Sequence, residues 1–148
     1  MYFVDRRKIE EHLEFLDKGI KLFKDSSFET SLEKLALERL HHLFIESMID
    51  VGNNIIDGFI MRDPGSYEDI IEILADERVI PENCSINLKG IVMMRKPLMQ
   101  KYITMDHAAL EENIKKHIES LENFSVHVRK YLNEELGAVS AFLPKDDK

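Results

Sequence analysis

The stretch LALERLHHLFIESMIDVGNNIIDGFI, Leu35 to Ile60, is apolar on more than one helical face. A surface helix carries a single apolar stripe, so a helix built from this stretch has to be surrounded by others. It is also broken by His41, His42, Glu46, Asp50, Asn53 and Asn54, too often for a segment that crosses a bilayer. The expectation is a central, buried helix in a soluble helical domain.

The flanking sequence supplies its partners. Ile9, Leu13, Leu16, Ile20 and Phe23 recur at helical spacing and predict an amphipathic helix from about Asp5 to Lys24. Ser26 and Glu29 have capping-box spacing, which predicts that the central helix starts near Phe28 or Thr30 and runs to Met61. Asp63, Pro64 and Gly65 make a turn, Ser66 caps, and a short helix follows from about Tyr67 to Glu77. Pro81 suits the first turn of a helix from about Glu82 toward Tyr102, interrupted at Pro97. Asp106 caps a last helix carrying Leu110, Ile114, Ile118, Leu121, Phe124, Val128 and Leu132, with Gly137 as its stop. No run alternates cleanly enough for a strand. The fold class expected is therefore all-α: an antiparallel four-helix bundle with an additional short helix, as one domain over residues 1–137 and a partly disordered tail over 138–148.

Length and composition agree with that reading. The sequence has 148 residues, 44% of them apolar, enough to bury one core without crosslinks. It has one cysteine, Cys84, and the first residues show no signal-peptide pattern, so a cytoplasmic location is expected. A net charge of -8 argues against a general duplex-binding protein, whose affinity comes mostly from phosphate neutralisation. The charge is unevenly spread. Between Asn83 and Met105 there is no carboxylate, whereas Lys89, Arg95, Lys96 and Lys101 are present. A local cationic patch and an ordinary solvated helix face both fit this pattern.

Several chemistries lack their residues. A di-iron bundle needs two Glu-x-x-His motifs, and only Glu38-x-x-His41 occurs, so no metal is expected. His41 and His42 are expected at the surface and at the edge of the core. Cys84 lies by a helix start but has no identifiable base, and the glycines form no phosphate loop. Asp50 and Asn53 are three apart on the most apolar helix and share a face. They form either a buried polar ledge toward a neighbouring helix or a solvent-facing pair.

The segment MRKPLMQKYITMD, Met94 to Asp106, ends a core helix with a cluster of polar groups. In a straight helix Tyr102 lies about 20° from alignment with Arg95, and Gln100 about 140° away. Pro97 removes an amide donor and disfavours helical geometry at Lys96, so a kink or restart there can re-aim Arg95. A purely structural reading packs Arg95 and Tyr102 as a stacked pair.

RKPLMQKY resembles the signature of the HepT-like family of the HEPN superfamily: an Arg, four residues, a His, any residue and a Tyr. The resemblance extends to the central helix, where Asp50 and Asn53 match the family's Asp-x-x-Asn, and to the succession of turn, short helix, helix and motif over Arg62–Asp106. It looks especially like the YutE-type bacterial branch. It implies a helical bundle that homodimerises with the motif in a cleft at or near the interface. It implies a toxin ribonuclease acting without a metal or other cofactor, and a nucleotidyltransferase antitoxin that AMPylates the motif tyrosine.

By that resemblance Arg95 binds phosphate and stabilises the transition state, Tyr102 is the modification site, and Asp50 and Asn53 support the cleft. Gln100 occupies the histidine position. A carboxamide can orient phosphate or water but cannot move a proton near neutral pH, a step worth on the order of 10² to 10⁴ in rate. Two expectations follow: a weakened ribonuclease, or a non-catalytic homodimer that binds RNA, nucleotide or a nucleotidyltransferase.

Overall fold

The computed structural model describes residues 4–140, the side chains of 138–140 excepted. Helix α1 is Arg6–Lys24, α2 Ser31–Gly58, α3 Tyr67–Asp76, α4 Glu82–Val92, α5 Arg95–Gln100 and α6 His107–Ser140, with a 3-10 turn at Tyr102–Thr104 between the last two. No strand occurs among the described residues. None of their helices is long and apolar enough to cross a membrane.

Helix α2 is the centre and touches every other helix. Leu37, Phe44, Ile45, Met48, Val51 and Ile55 along it are fully enclosed, which answers the apolarity of its sequence on several faces. Contacts fix the directions of the others. His12 faces Asp50 and Gly19 faces Phe44, so α1 and α2 are antiparallel. Cys84 meets Ser120 and Gly90 meets Asn113, so α4 and α6 are antiparallel too. Helix α6 runs alongside α2 in the same sense, His107 to Glu38 at one end and Phe59 to Tyr131 at the other. Helix α3 packs between α2 and α4. Gly52 sets how closely it approaches: a Cβ there would stand 2.5 Å from Ile70 Cγ2.

The helix starts show their capping chemistry. Asp5 accepts from the amide of Lys8, Ser66 from that of Asp69, and Asp106 from that of Ala109. For α2 the capping box is Thr30 with Glu33, not Ser26 with Glu29. Ser26 instead donates its hydroxyl to the Leu22 carbonyl and so finishes α1. Helix α2 ends at Gly58, three residues before the expected Met61, because the chain turns through the left-handed region at Ile60, where φ is 57°.

Two further expectations are corrected. The helix from Glu82 breaks at Met93 and Met94, ahead of Arg95, rather than at Pro97. Pro97 lies in the first turn of α5, where amides have no helical acceptor and its missing N–H costs nothing. Helix α6 passes through Gly137 to Ser140; no glycine among the described residues adopts the left-handed geometry that stops a helix. Residues 138–140 of the expected tail thus continue the helix, and 141–148 lie outside the described residues.

Candidate active site

A cavity of about 880 Å³ opens where the break between α4 and α5 faces the end of α2 and the start of α3. Arg95, Lys96, Met99 and Gln100 of α5 line one side, Asn53 of α2 and Tyr67 of α3 the other. The loop from α2 to α3 completes the wall through Pro64 and Gly65. Arg62 clamps that loop by donating to both oxygens of Asp69, at 2.8 and 2.9 Å, while the Gly65 amide donates to the same carboxylate. These bonds hold the Asp69 carboxyl down to about 2. The wall is therefore firmly built, although it is a loop.

Arg95 is the most constrained group in the cavity. Its guanidinium carbon lies 4.0 Å from the centroid of the Tyr67 ring, a cation-π contact. Nη2 is 3.4 Å from Glu46 Oε1, and Nε is buried without a hydrogen-bond partner. The stacking partner is thus Tyr67, not Tyr102. Arg95 and Gln100 are the two ends of the one short helix α5 and both line the cavity, so the restart ahead of Arg95 aims them together. Tyr102 does not line the cavity; it sits on the 3-10 turn with 64% of its surface exposed.

The two supporting polar positions separate. Asn53 lines the cavity. Asp50 lies one turn back on α2, exposed, with Oδ2 3.6 Å from Nε2 of His12, in a neighbouring depression that also contains Glu46. The cationic segment is also partly neutralised. Lys89 pairs with Glu72 and Arg95 with Glu46, which leaves Lys96 and Lys101 exposed with no ion pair among the described residues.

Glu46 and Tyr67 are the residues that sequence reasoning misses. Glu46 had a signal, since it stands four before Asp50 and seven before Asn53 on the same stripe of α2. Tyr67 had none, because its contact with Arg95 joins two helices that only the fold brings together.

Other titratable groups serve the core. Burial pushes the Cys84 thiol up to about 11, and its S–H points to the Ser120 carbonyl, so it is no nucleophile near neutral pH. His41, expected near the surface, is wholly buried: Nε2 donates to Asn113 Oδ1 at 2.9 Å, and Asn113 donates to the Gly90 carbonyl. Among the described residues no group of three or more His, Cys, Asp or Glu side chains is placed to hold a metal ion.

The family model for HepT-like ribonucleases matches residues 9–128. The chain belongs to the HepT-like ribonuclease family. Its similarity to YutE of Bacillus subtilis (strain 168), a candidate RNase by its name, is 48% identity over 96% of this chain and 99% of that protein. The structure of YutE, described as a cytosolic protein, superposes with a TM-score of 0.92 over 96% of this chain and all of that one. More distant chains of similar fold are found in toxin–antitoxin complexes. One determined with AMP-PNP gives a TM-score of 0.75 at 20% identity, over 82% of this chain and 97% of the other. The tri-AMPylated HEPN toxin of Shewanella oneidensis in complex with its MNT antitoxin gives 0.73 at 21% identity, over 82% and 96%. At that identity they share the fold alone.

Proposed function

We propose that this HepT-like chain binds RNA in the Arg95 cavity and cleaves it without a metal, slowly because Gln100 replaces the proton-transfer residue. The observation that carries the reading is Arg95 itself: a permanently charged, fork-shaped donor, stacked on an aromatic ring, in the wall of a cavity of about 880 Å³. Lys96 adds charge at the same wall, Met99 offers apolar surface, and the Arg95 guanidinium stacked on Tyr67 offers a plane to an unstacked base. Gln100 can hold a phosphate oxygen or a water by hydrogen bonds. Asn53 supports it from the opposite wall, and Asp50 acts from the adjoining depression.

Purified protein is expected to cut a fluorescent single-stranded RNA in the presence of a chelator, and Arg95→Ala to lose the activity. Equal rates for the two proteins would overturn the reading. A second reading, a cleft that binds without cutting, is favoured by the carboxamide at Gln100. In that case the native protein binds the RNA through Arg95 and leaves it intact.

The surface around the cavity supports assembly as a homodimer. Met93, Met99 and Ile103 are each at least half exposed and close together in the chain, an apolar set suited to the homodimer expected of this family. Light scattering after gel filtration is expected to give a dimer. The exposure of Tyr102 leaves its hydroxyl within reach of a nucleotidyltransferase antitoxin, as the neighbouring complexes suggest. Intact mass of protein from its native host is expected to show adenylyl additions that Tyr102→Phe lacks.

A further inference from the structure

Two donors converge on one oxygen beside the cavity. Glu46 Oε1 lies 3.4 Å from Arg95 Nη2 and 3.5 Å from His42 Nε2. Neither partner is fully satisfied. His42 Nε2 is buried and not aligned for a hydrogen bond, and Arg95 Nε is buried with no partner. Arg39 Nη1 lies 3.5 Å from His42 Nδ1, and because arginine only donates, Nδ1 accepts and Nε2 carries the proton that faces Glu46. The other ionisable groups nearby are Glu11, His12 and Asp50, which line the same depression as Glu46, and Tyr67 under the guanidinium.

This arrangement limits Arg95. A guanidinium grips phosphate through two parallel N–H groups, from either its Nε and Nη2 edge or its Nη1 and Nη2 end. Nη2 gives one N–H to each, so Glu46, which engages Nη2, takes one of the two edges at most. A phosphate on the other edge stands close to the Glu46 carboxylate on the shared nitrogen, and like charges there disfavour the Arg95–Glu46 contact; a carboxylate that loses its cation in a half-buried position needs another donor. His42 Nε2, unpartnered and 3.5 Å from Oε1, can turn to supply one.

We propose that Glu46 gates Arg95: it holds the guanidinium in reserve in the free protein and passes to the Nε2–H of His42 when an RNA phosphate takes Arg95. The inference rests on the reading of Arg95 as the phosphate-binding residue. It makes Glu46 and His42 positioning residues, acting through Arg95 rather than on the substrate.

The test is binding of a labelled oligouridylate, followed by fluorescence anisotropy at fixed low salt, to full-length variants whose circular dichroism matches the native protein. Glu46→Gln is expected to tighten binding about fivefold or more, at the low end of typical coupling between linked equilibria. Glu11→Gln removes the same charge from the same depression without touching Arg95, and is expected to have less than half that effect. His42→Leu is expected to weaken binding about fivefold in the native background and to change nothing in Glu46→Gln, where no carboxylate has to be rehoused. As a readout independent of affinity, the Arg95 Nε–H resonance is expected to shift on titration with oligouridylate and to start closer to its bound position in Glu46→Gln.

Arg95-dependent binding that Glu46→Gln leaves unchanged or weakens would overturn the gate alone. Equal effects of Glu11→Gln and Glu46→Gln, or an equal loss from His42→Leu in both backgrounds, would do the same. Identical binding by the native protein and Arg95→Ala would overturn the gate together with the reading of the site.

Discussion

At position 100 a carboxamide stands in the cavity wall beside Arg95, where a proton has to move if RNA is to be cut. The wall also holds a guanidinium and an exposed lysine, so on the proposed reading Gln100 is the residue that limits the rate. Gln100→His restores an imidazole on the same turn of α5. It is expected to raise the single-turnover cleavage rate at pH 7 at least tenfold, toward the 10² to 10⁴ that positioned acid–base groups contribute, with a pH profile that the native protein lacks. No change in rate would mean that proton transfer does not limit the native site. Arg95 and Gln100 were legible because the motif lies in one short segment. Glu46 and Tyr67, which decide how Arg95 is held, come from α2 and α3 and belong to no motif.

Among the helices, the contact of α2 with α3 positions the cavity, since Asn53 of α2 and Tyr67 of α3 together line the side opposite α5. Gly52 permits that contact, with Ile70 Cγ2 where a Cβ would be. Gly52→Ala is expected to push α3 away and destabilise the protein by about 1–3 kcal/mol, the usual cost of overpacking, despite the better helix propensity of alanine. Urea unfolding measures the first effect, and loss of Arg95-dependent RNA binding the second. The helices themselves were readable from periodicity, because apolar residues such as Ile9, Leu13 and Leu16 are buried as their spacing requires. Ends were less so. Thr30 with Glu33 and Ser26 with Glu29 have identical spacing, and only the closure of α1 by Ser26 decides between them. Pro97 read as a breaker because its tolerance depends on where the helix starts, and the break at Met93 carries no sequence mark. Tyr102 was readable as part of the motif, but its separation from the cavity follows from the 3-10 turn after Lys101.

Across the whole molecule, polar contacts tie the long helices together at two levels. On the surface Arg129 of α6 donates to Glu10 and Asp17 of α1, and Asp17 also accepts from Ser125. Inside, His41 of α2 reaches Asn113 of α6, which reaches the Gly90 carbonyl of α4, so one buried chain of hydrogen bonds joins three helices. Burial disfavours the imidazolium and lowers the pKa of His41, in part opposed by the bond to Asn113. An unfolded histidine titrates near 6.5, so below about that pH the unfolded chain takes up a proton that folded His41 refuses. Stability is then fully present above that value, falls as the pH drops, and stops falling once the pH passes below the folded pKa. Burial lowers His117 and His127 in the same sense, but both are more exposed and contribute less. Asp69, held to about 2 by Arg62, loses its contribution only under more acid conditions. Urea unfolding between pH 7.5 and 5.5 is therefore expected to show decreasing stability in the native protein and a distinctly shallower decrease in His41→Gln, whose amide can still donate to Asn113. The same slope in both proteins would assign the pH dependence to other groups and leave His41 a packing residue.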